Sequence, residues 1–204
     1  MTVATRRHGT WTANEAGVVA GVPLKSVHKI IDAGLLAGAV VTTGGTRLIG
    51  GRGVLAIKLA HRTRSTLTPV VRERMLTSIL RSNIRVFRDD SVTVDVAAME
   101  REVDAGRAAL ERARNAVTVD DRIMAGIPCL SGTRIPVHEV AALAASGESL
   151  EQMKRVWPAL TAEFVGLASV YAEAYPRRGR PARLSTRGLT QVGATKRLKI
   201  RLPT

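Results

Sequence analysis

Residues 12–34 read Thr12-Ala13-Asn14-Glu15-Ala16-Gly17-Val18-Val19-Ala20-Gly21-Val22-Pro23-Leu24-Lys25-Ser26-Val27-His28-Lys29-Ile30-Ile31-Asp32-Ala33-Gly34, and the fold turns on them. Thr12 and Glu15 have the spacing of a capping box, in which each side chain satisfies the other's backbone amide, so a helix is predicted to begin at Ala13. Gly21-Val22-Pro23 ends it and permits a sharp turn. A second helix, Leu24 to Ala33, puts Leu24, Val27, Ile30 and Ile31 on one face. Lys25, Ser26, His28 and Lys29 fall on the other, and Gly34 closes the helix.

Moving outward, Val40-Val41-Thr42-Thr43 and Thr46-Arg47-Leu48-Ile49 flank Gly44-Gly45, a pair suited to a two-residue hairpin, and this reads as a wing. A helix over about 54–62 completes the unit. Further helices are predicted over 69–81, 96–114, 137–146, 149–157 and 161–175, with Ser149 and Thr161 as N-caps. Residues 84–87 and 92–94 flank Asp89-Asp90 as a second hairpin. Met99, Val103, Gly106, Leu110 and Ala113 form a narrow stripe that fits either a coiled-coil seam or a helix packed on its own domain. The expected fold class is mainly α: two small helical domains of DNA-binding type with short β-hairpins, a winged helix-turn-helix and a trihelical bundle, and then a basic extended tail. The expected organisation is 1–64 for the first domain, 65–116 for a helical linker with a hairpin, 117–175 for the second domain and 176–204 for the tail.

Charge is segregated along the 204 residues and their net +14. Residues 1–64 carry nine Lys/Arg against Glu15 and Asp32; residues 65–175 carry thirteen against fifteen acids; residues 176–204 carry nine and no acid. Two basic ends on a near-neutral body point to polyanionic or acidic partners, whereas solubility alone would not require the segregation. Aromatic residues make up only 3% of the chain, too few for a single-strand reader that stacks bases on Phe, Tyr or Trp, so duplex DNA fits better. The single cysteine, Cys129, has no second thiol for a disulfide or a zinc site, which suits a reducing cytoplasm. No apolar run approaches the roughly 18 residues of a membrane span, so neither secretion nor a membrane is expected.

Residues 12–62 resemble the MerR-type winged helix-turn-helix through Glu15-Ala16, Gly21-Val22-Pro23, Val27, Ala33-Gly34-Leu35-Leu36 and Arg47-Leu48, departing from it at Ile30-Ile31-Asp32. A second resemblance covers residues 117–175. Gly126-Ile127-Pro128-Cys129-Leu130-Ser131-Gly132-Thr133-Arg134-Ile135-Pro136-Val137, then Gly147-Glu148-Ser149, Trp157-Pro158-Ala159-Leu160-Thr161 and Tyr171-Ala172 are similar to the domain-of-unknown-function family numbered four-three-three, found in VapB-type antitoxins. These resemblances imply an antitoxin of a type II toxin–antitoxin system. Such a protein neutralises a PIN-domain (VapC-type) ribonuclease and represses its own promoter as a homodimer or higher hetero-oligomer. The runner-up is a MerR-like regulator with no toxin.

Lys25, Ser26, His28, Lys29, Arg47 and Arg52 are the candidate DNA contacts, against the plain reading of a solvated basic face. In the tail, Arg177, Arg178, Arg180 and Arg183 would pair with the toxin's carboxylates while Leu198, Ile200 and Leu202 anchor the end. Arg178-Gly179-Arg180-Pro181 also resembles an AT-hook core, which would make the tail a DNA arm. Phe164, Leu167, Val170 and Tyr171 are the candidate dimer surface. Ile127, Pro128 and Leu130 are expected to pair with Ile135–Val137. Arg134 is expected to bridge to Asp120, Asp121 or Glu139 rather than hold a phosphate. His8, His28, His61 and His138 are isolated from one another and no catalytic or cofactor motif is present, so neither catalysis nor a cofactor or metal is expected.

Overall fold

In the computed structural model, which describes residues 9–90 and 92–177, Thr12 takes up the capping box that its spacing predicts. Its hydroxyl accepts from the Glu15 amide and the Glu15 carboxylate accepts from the Thr12 amide at 2.7 Å, after a short strand β1 (Thr10–Trp11) and at the head of α1 (Ala13–Ala20). Gly21 stops α1 in the left-handed region at φ 62°, and α2 (Leu24–Asp32) follows. Strands β2 (Val40–Thr43) and β3 (Thr46–Gly50) join through Gly44 and Gly45, both at positive φ, the geometry that matches the natural twist of a two-residue hairpin. β3 lies between β1 and β2 in one antiparallel sheet, with Val40 opposite Ile49 and Trp11 also opposite Ile49.

Then come α3 (Gly51–Arg62), α4 (Pro69–Arg81), the antiparallel pair β4 (Val86–Asp89) and β5 (Val92–Asp95), and α5 (Val96–Asn115). The side chains of Thr68 and Asp95 cap α4 and α5. After α5 the chain forms the antiparallel pair β6 (Val117–Thr118) and β7 (Cys129–Leu130). It ends with α6 (Val137–Ala145), α7 (Leu150–Val156) and α8 (Ala162–Ala174). Ser149 and Thr161 cap α7 and α8 as predicted. The described residues are thus mainly helical, with eight α-helices and three small sheets, and none of these helices is long and apolar enough to cross a membrane.

Two apolar cores organise the chain. The first draws on α1–α3 and equally on the segment read from sequence as a linker, which contributes Leu67, Met75, Ile79, Phe87, Val96 and Leu110. Ala174, at the end of α8, also enters this core. The second gathers Leu130, Ile135, Val137, Val140, Met153 and Leu160 beneath α8. The stripe on α5 faces inward. Gly106 lies so close to α1 that an added Cβ would stand 2.2 Å from the Val19 carbonyl oxygen, so α5 packs on its own chain there. Leu24, expected on the apolar face of α2, is 41% exposed, while Val27 and Ile30 are buried.

Candidate nucleic-acid interface

The α1–α2 pair is closely packed and hydrogen-bonded at its corner. The Val22 amide donates to the Gly17 carbonyl at 2.8 Å, and the Ser26 and Val27 amides donate to the Pro23 carbonyl. Gly17 has no room for a side chain, since a Cβ there would fall 2.9 Å from the Val22 carbonyl oxygen. With Val27 and Ile30 fixed inward, Lys25, His28 and Lys29 are exposed along the opposite side of α2, and Ser26 is half-buried beside them. The hairpin tip, residues 41–47, is exposed as well. Arg47 on β3 pairs with Asp32 at the end of α2, a half-exposed contact that ties the hairpin to the helix.

Arg52 has a different environment. Its Nε donates to the Ile79 carbonyl at 2.6 Å, while its terminal nitrogens donate to the Ser82 carbonyl and Asn83 Oδ1. All three acceptors lie at or just past the carboxyl end of α4, where unpaired helix carbonyls favour a cation. The guanidinium therefore joins α3 to α4. Sequence spacing could not distinguish this from a second phosphate contact.

The feature that the sequence reading missed lies behind the α1–α2 pair. Glu15 is a buried carboxylate, 1% exposed, and its role extends well beyond capping. Its Oε2 accepts from the Thr12 amide and hydroxyl; its Oε1 accepts from Arg114 Nη2 at 3.0 Å and from the Tyr175 hydroxyl at 2.8 Å. Arg114 Nε in turn donates to the Tyr175 hydroxyl at 2.6 Å. The guanidinium also lies over the rings of Trp11 and Tyr175, with centroid distances of 5.4 and 5.8 Å. Burial works against the Arg114 charge, but Tyr175 and Glu15 outweigh it and raise its pKa. A buried charge with every oxygen engaged is stable in place, and losing one partner is costly.

Tyr175 is held by its backbone too, its carbonyl meeting His138 Nε2 at 2.8 Å. Two residues on, Arg177 is exposed and stands 3.7 Å from Glu139. The other tail residues read as toxin contacts, Arg178, Arg180, Arg183, Leu198, Ile200 and Leu202, lie outside the described residues. The four candidate dimer residues are divided between the cores. Phe164 and Tyr171 pack against the second, Val170 against the first, and Leu167 is half-buried in neither.

Around the glycine-rich segment, the Leu130 amide donates to the Ile135 carbonyl and the Val137 amide to the Pro128 carbonyl, which brings together the two runs expected to pair. Gly132, at φ 75°, makes the turn, and the Thr133 hydroxyl closes it onto the Leu130 carbonyl. Arg134 is exposed and makes no ion pair among the described residues. Asp120 is held by Arg122, and Glu139 faces Arg177. The expected bridge therefore does not form, because the turn directs Arg134 to solvent. Cys129 is buried with its thiol toward the Ile127 carbonyl, and burial, then Glu139, raises its pKa.

Comparison with known proteins gives two matches. Residues 117–172 match the family described as protein of unknown function, DUF433. An uncharacterized protein, y4eO, of Sinorhizobium fredii (strain NBRC 101917 / NGR234) is 36% identical over 183 residues, covering 82% of each chain. No solved structure matches.

Proposed function

The chain belongs to the family of the Sinorhizobium fredii protein y4eO and carries a DUF433 domain over residues 117–172, and from that premise we propose that it is a DNA-binding antitoxin. The observation that carries the DNA half of this reading is the exposed face of α2. Lys25, His28 and Lys29 stand clear on a helix whose other side is buried, beside an exposed hairpin, in the order helix, tight turn, helix, hairpin. A winged helix-turn-helix uses such a face to offer donors to base edges and phosphates in the major groove, with the wing on the backbone. The DNA would be the protein's own promoter, bound by a homodimer or a higher assembly with the toxin.

The toxin half rests on the resemblance of the DUF433 segment to VapB-type antitoxins and on the nine cations without an acid after Tyr175. A PIN-domain ribonuclease presents clustered carboxylates, and arginine forks pair with carboxylates bidentately. A regulator with no toxin is the alternative. Co-expression with the neighbouring reading frame decides between them, since only an antitoxin rescues growth and co-purifies with the product.

Lys25→Ala with Lys29→Ala tests the DNA face. Against a duplex from upstream of the gene, wild type should bind with strong salt dependence, and the double variant should bind more weakly with a salt slope smaller by about two. Unchanged binding would assign the DNA contact to another surface.

A further inference from the structure

We propose that Arg114 and Tyr175 are positioning residues for the DNA-reading helix pair: they clamp α1 through Glu15 and so fix the angle at which α2 is presented. The proposal rests on the DNA-binding reading above.

The physical case begins with what α1 touches. At its amino end the Glu15 carboxylate receives Arg114 from the end of α5 and Tyr175 from just past α8. Midway, α5 approaches so closely at Gly106 that only hydrogen fits against Val19. At its carboxyl end, Lys58 Nζ donates to the Ala20 carbonyl at 3.0 Å and pairs with Glu102 of α5 at 2.8 Å. The helix is thus held at three points along its length. Because the Gly17–Val22 corner leaves no slack, α2 turns with α1 as one body. The amino-terminal clamp also involves Tyr175, just past α8 and three residues beyond the DUF433 match, and so ties the last helix to the proposed reader. A dimer on a two-fold operator requires its two recognition helices at a set spacing and tilt. Neither Arg114 nor Tyr175 need touch DNA to influence that fit.

The test uses the full-length chain carrying Tyr175→Phe, which keeps the ring and removes the hydroxyl, with Arg114→Lys as a second variant should the first fail to fold. Two readouts are taken: hydrogen exchange at the Ala16 and Gly17 amides of α1, and affinity for the upstream duplex across a salt series. Exchange at both amides should quicken, and affinity should fall by about tenfold, the factor associated with losing one charge-assisted hydrogen bond. The salt slope should match wild type because no phosphate contact is removed, unlike the Lys25 and Lys29 substitutions. Wild-type affinity in the folded variant would overturn the proposal, as would weakened binding with unchanged exchange in α1. Failure of the wild-type protein itself to bind the duplex would overturn the DNA reading, an outcome distinct from either.

Discussion

The phenols of Tyr171 and Tyr175, the two tyrosines of the chain, are both shifted upward, Tyr171 by burial and Tyr175 by burial and then by the neighbouring Glu15 carboxylate. An unfolded tyrosine ionises near about 10. The folded protein therefore retains protons that the unfolded chain releases. This contribution to stability is intact below about pH 10 and is lost as the pH rises through the folded values. Near-ultraviolet phenolate absorbance should lag that of free tyrosine and then rise together with loss of helical circular dichroism. In Tyr175→Phe the decline of stability above that pH should be shallower. At this scale Glu15 was legible only in part: its capping role is local and readable three residues away, whereas its partners lie 99 and 160 residues along the chain. Nothing in the composition of 114 or 175 marks them as partners of residue 15. The bonds of Arg52 to the end of α4 were not legible for the related reason that an arginine can serve a helix carboxyl end as readily as a phosphate.

Among the elements, α5 was readable as a helix but not in its allegiance, because a four-three apolar stripe suits a seam between copies and a packed face equally well. Gly106 resolves this in favour of packing within the chain. Gly106→Ala makes a clean prediction because two effects oppose each other. Helix propensity favours alanine by about 1 kcal/mol, while a Cβ placed 2.2 Å from the Val19 carbonyl oxygen and 2.9 Å from its carbon must push two backbones apart. Overpacking of this kind costs about 1–3 kcal/mol, and here the neighbour is backbone that cannot rotate aside, so the variant should be less stable. Its melting temperature should fall, by about 2–4 °C for each kcal/mol lost in a chain of this size. A gain in stability would mean that α5 does not press on α1. The helices whose caps are readable in the sequence, α1, α7 and α8, begin where Thr12, Ser149 and Thr161 predict, since that information is local. The membership of 65–116 in the first core was not legible, because which core an apolar face joins depends on the path of the whole chain.

Across the whole molecule the charge is more sharply divided than a tripartite count suggests. Residues 65–88 add five arginines against Glu73 to the basic amino-terminal unit, while residues 89–175 carry eight cations against fourteen acids. In the proposed DNA-binding role, an acidic body between the basic amino-terminal unit and the basic tail would repel phosphate from the middle and leave the two ends to attract it. Ending the chain at Arg177 tests the role of the tail. Among the described residues both cores lie before that point, so the shortened protein should melt as wild type does and retain the proposed duplex binding. If the neighbouring reading frame encodes the proposed toxin, the shortened chain co-expressed with it should neither rescue growth nor co-purify with its product. Continued rescue would place the neutralising surface in the helical domain. The bond from Tyr175 to Glu15 also gives the protein a direction in time. Chains emerge from the ribosome amino end first, so α1 and α2 are made long before the hydroxyl that completes the Glu15 clamp, 160 residues later. A nascent chain, or one cut before α8 ends, carries the proposed reader without its fastening. Repression by the proposed reader would then report the number of chains completed through α8 rather than the number begun.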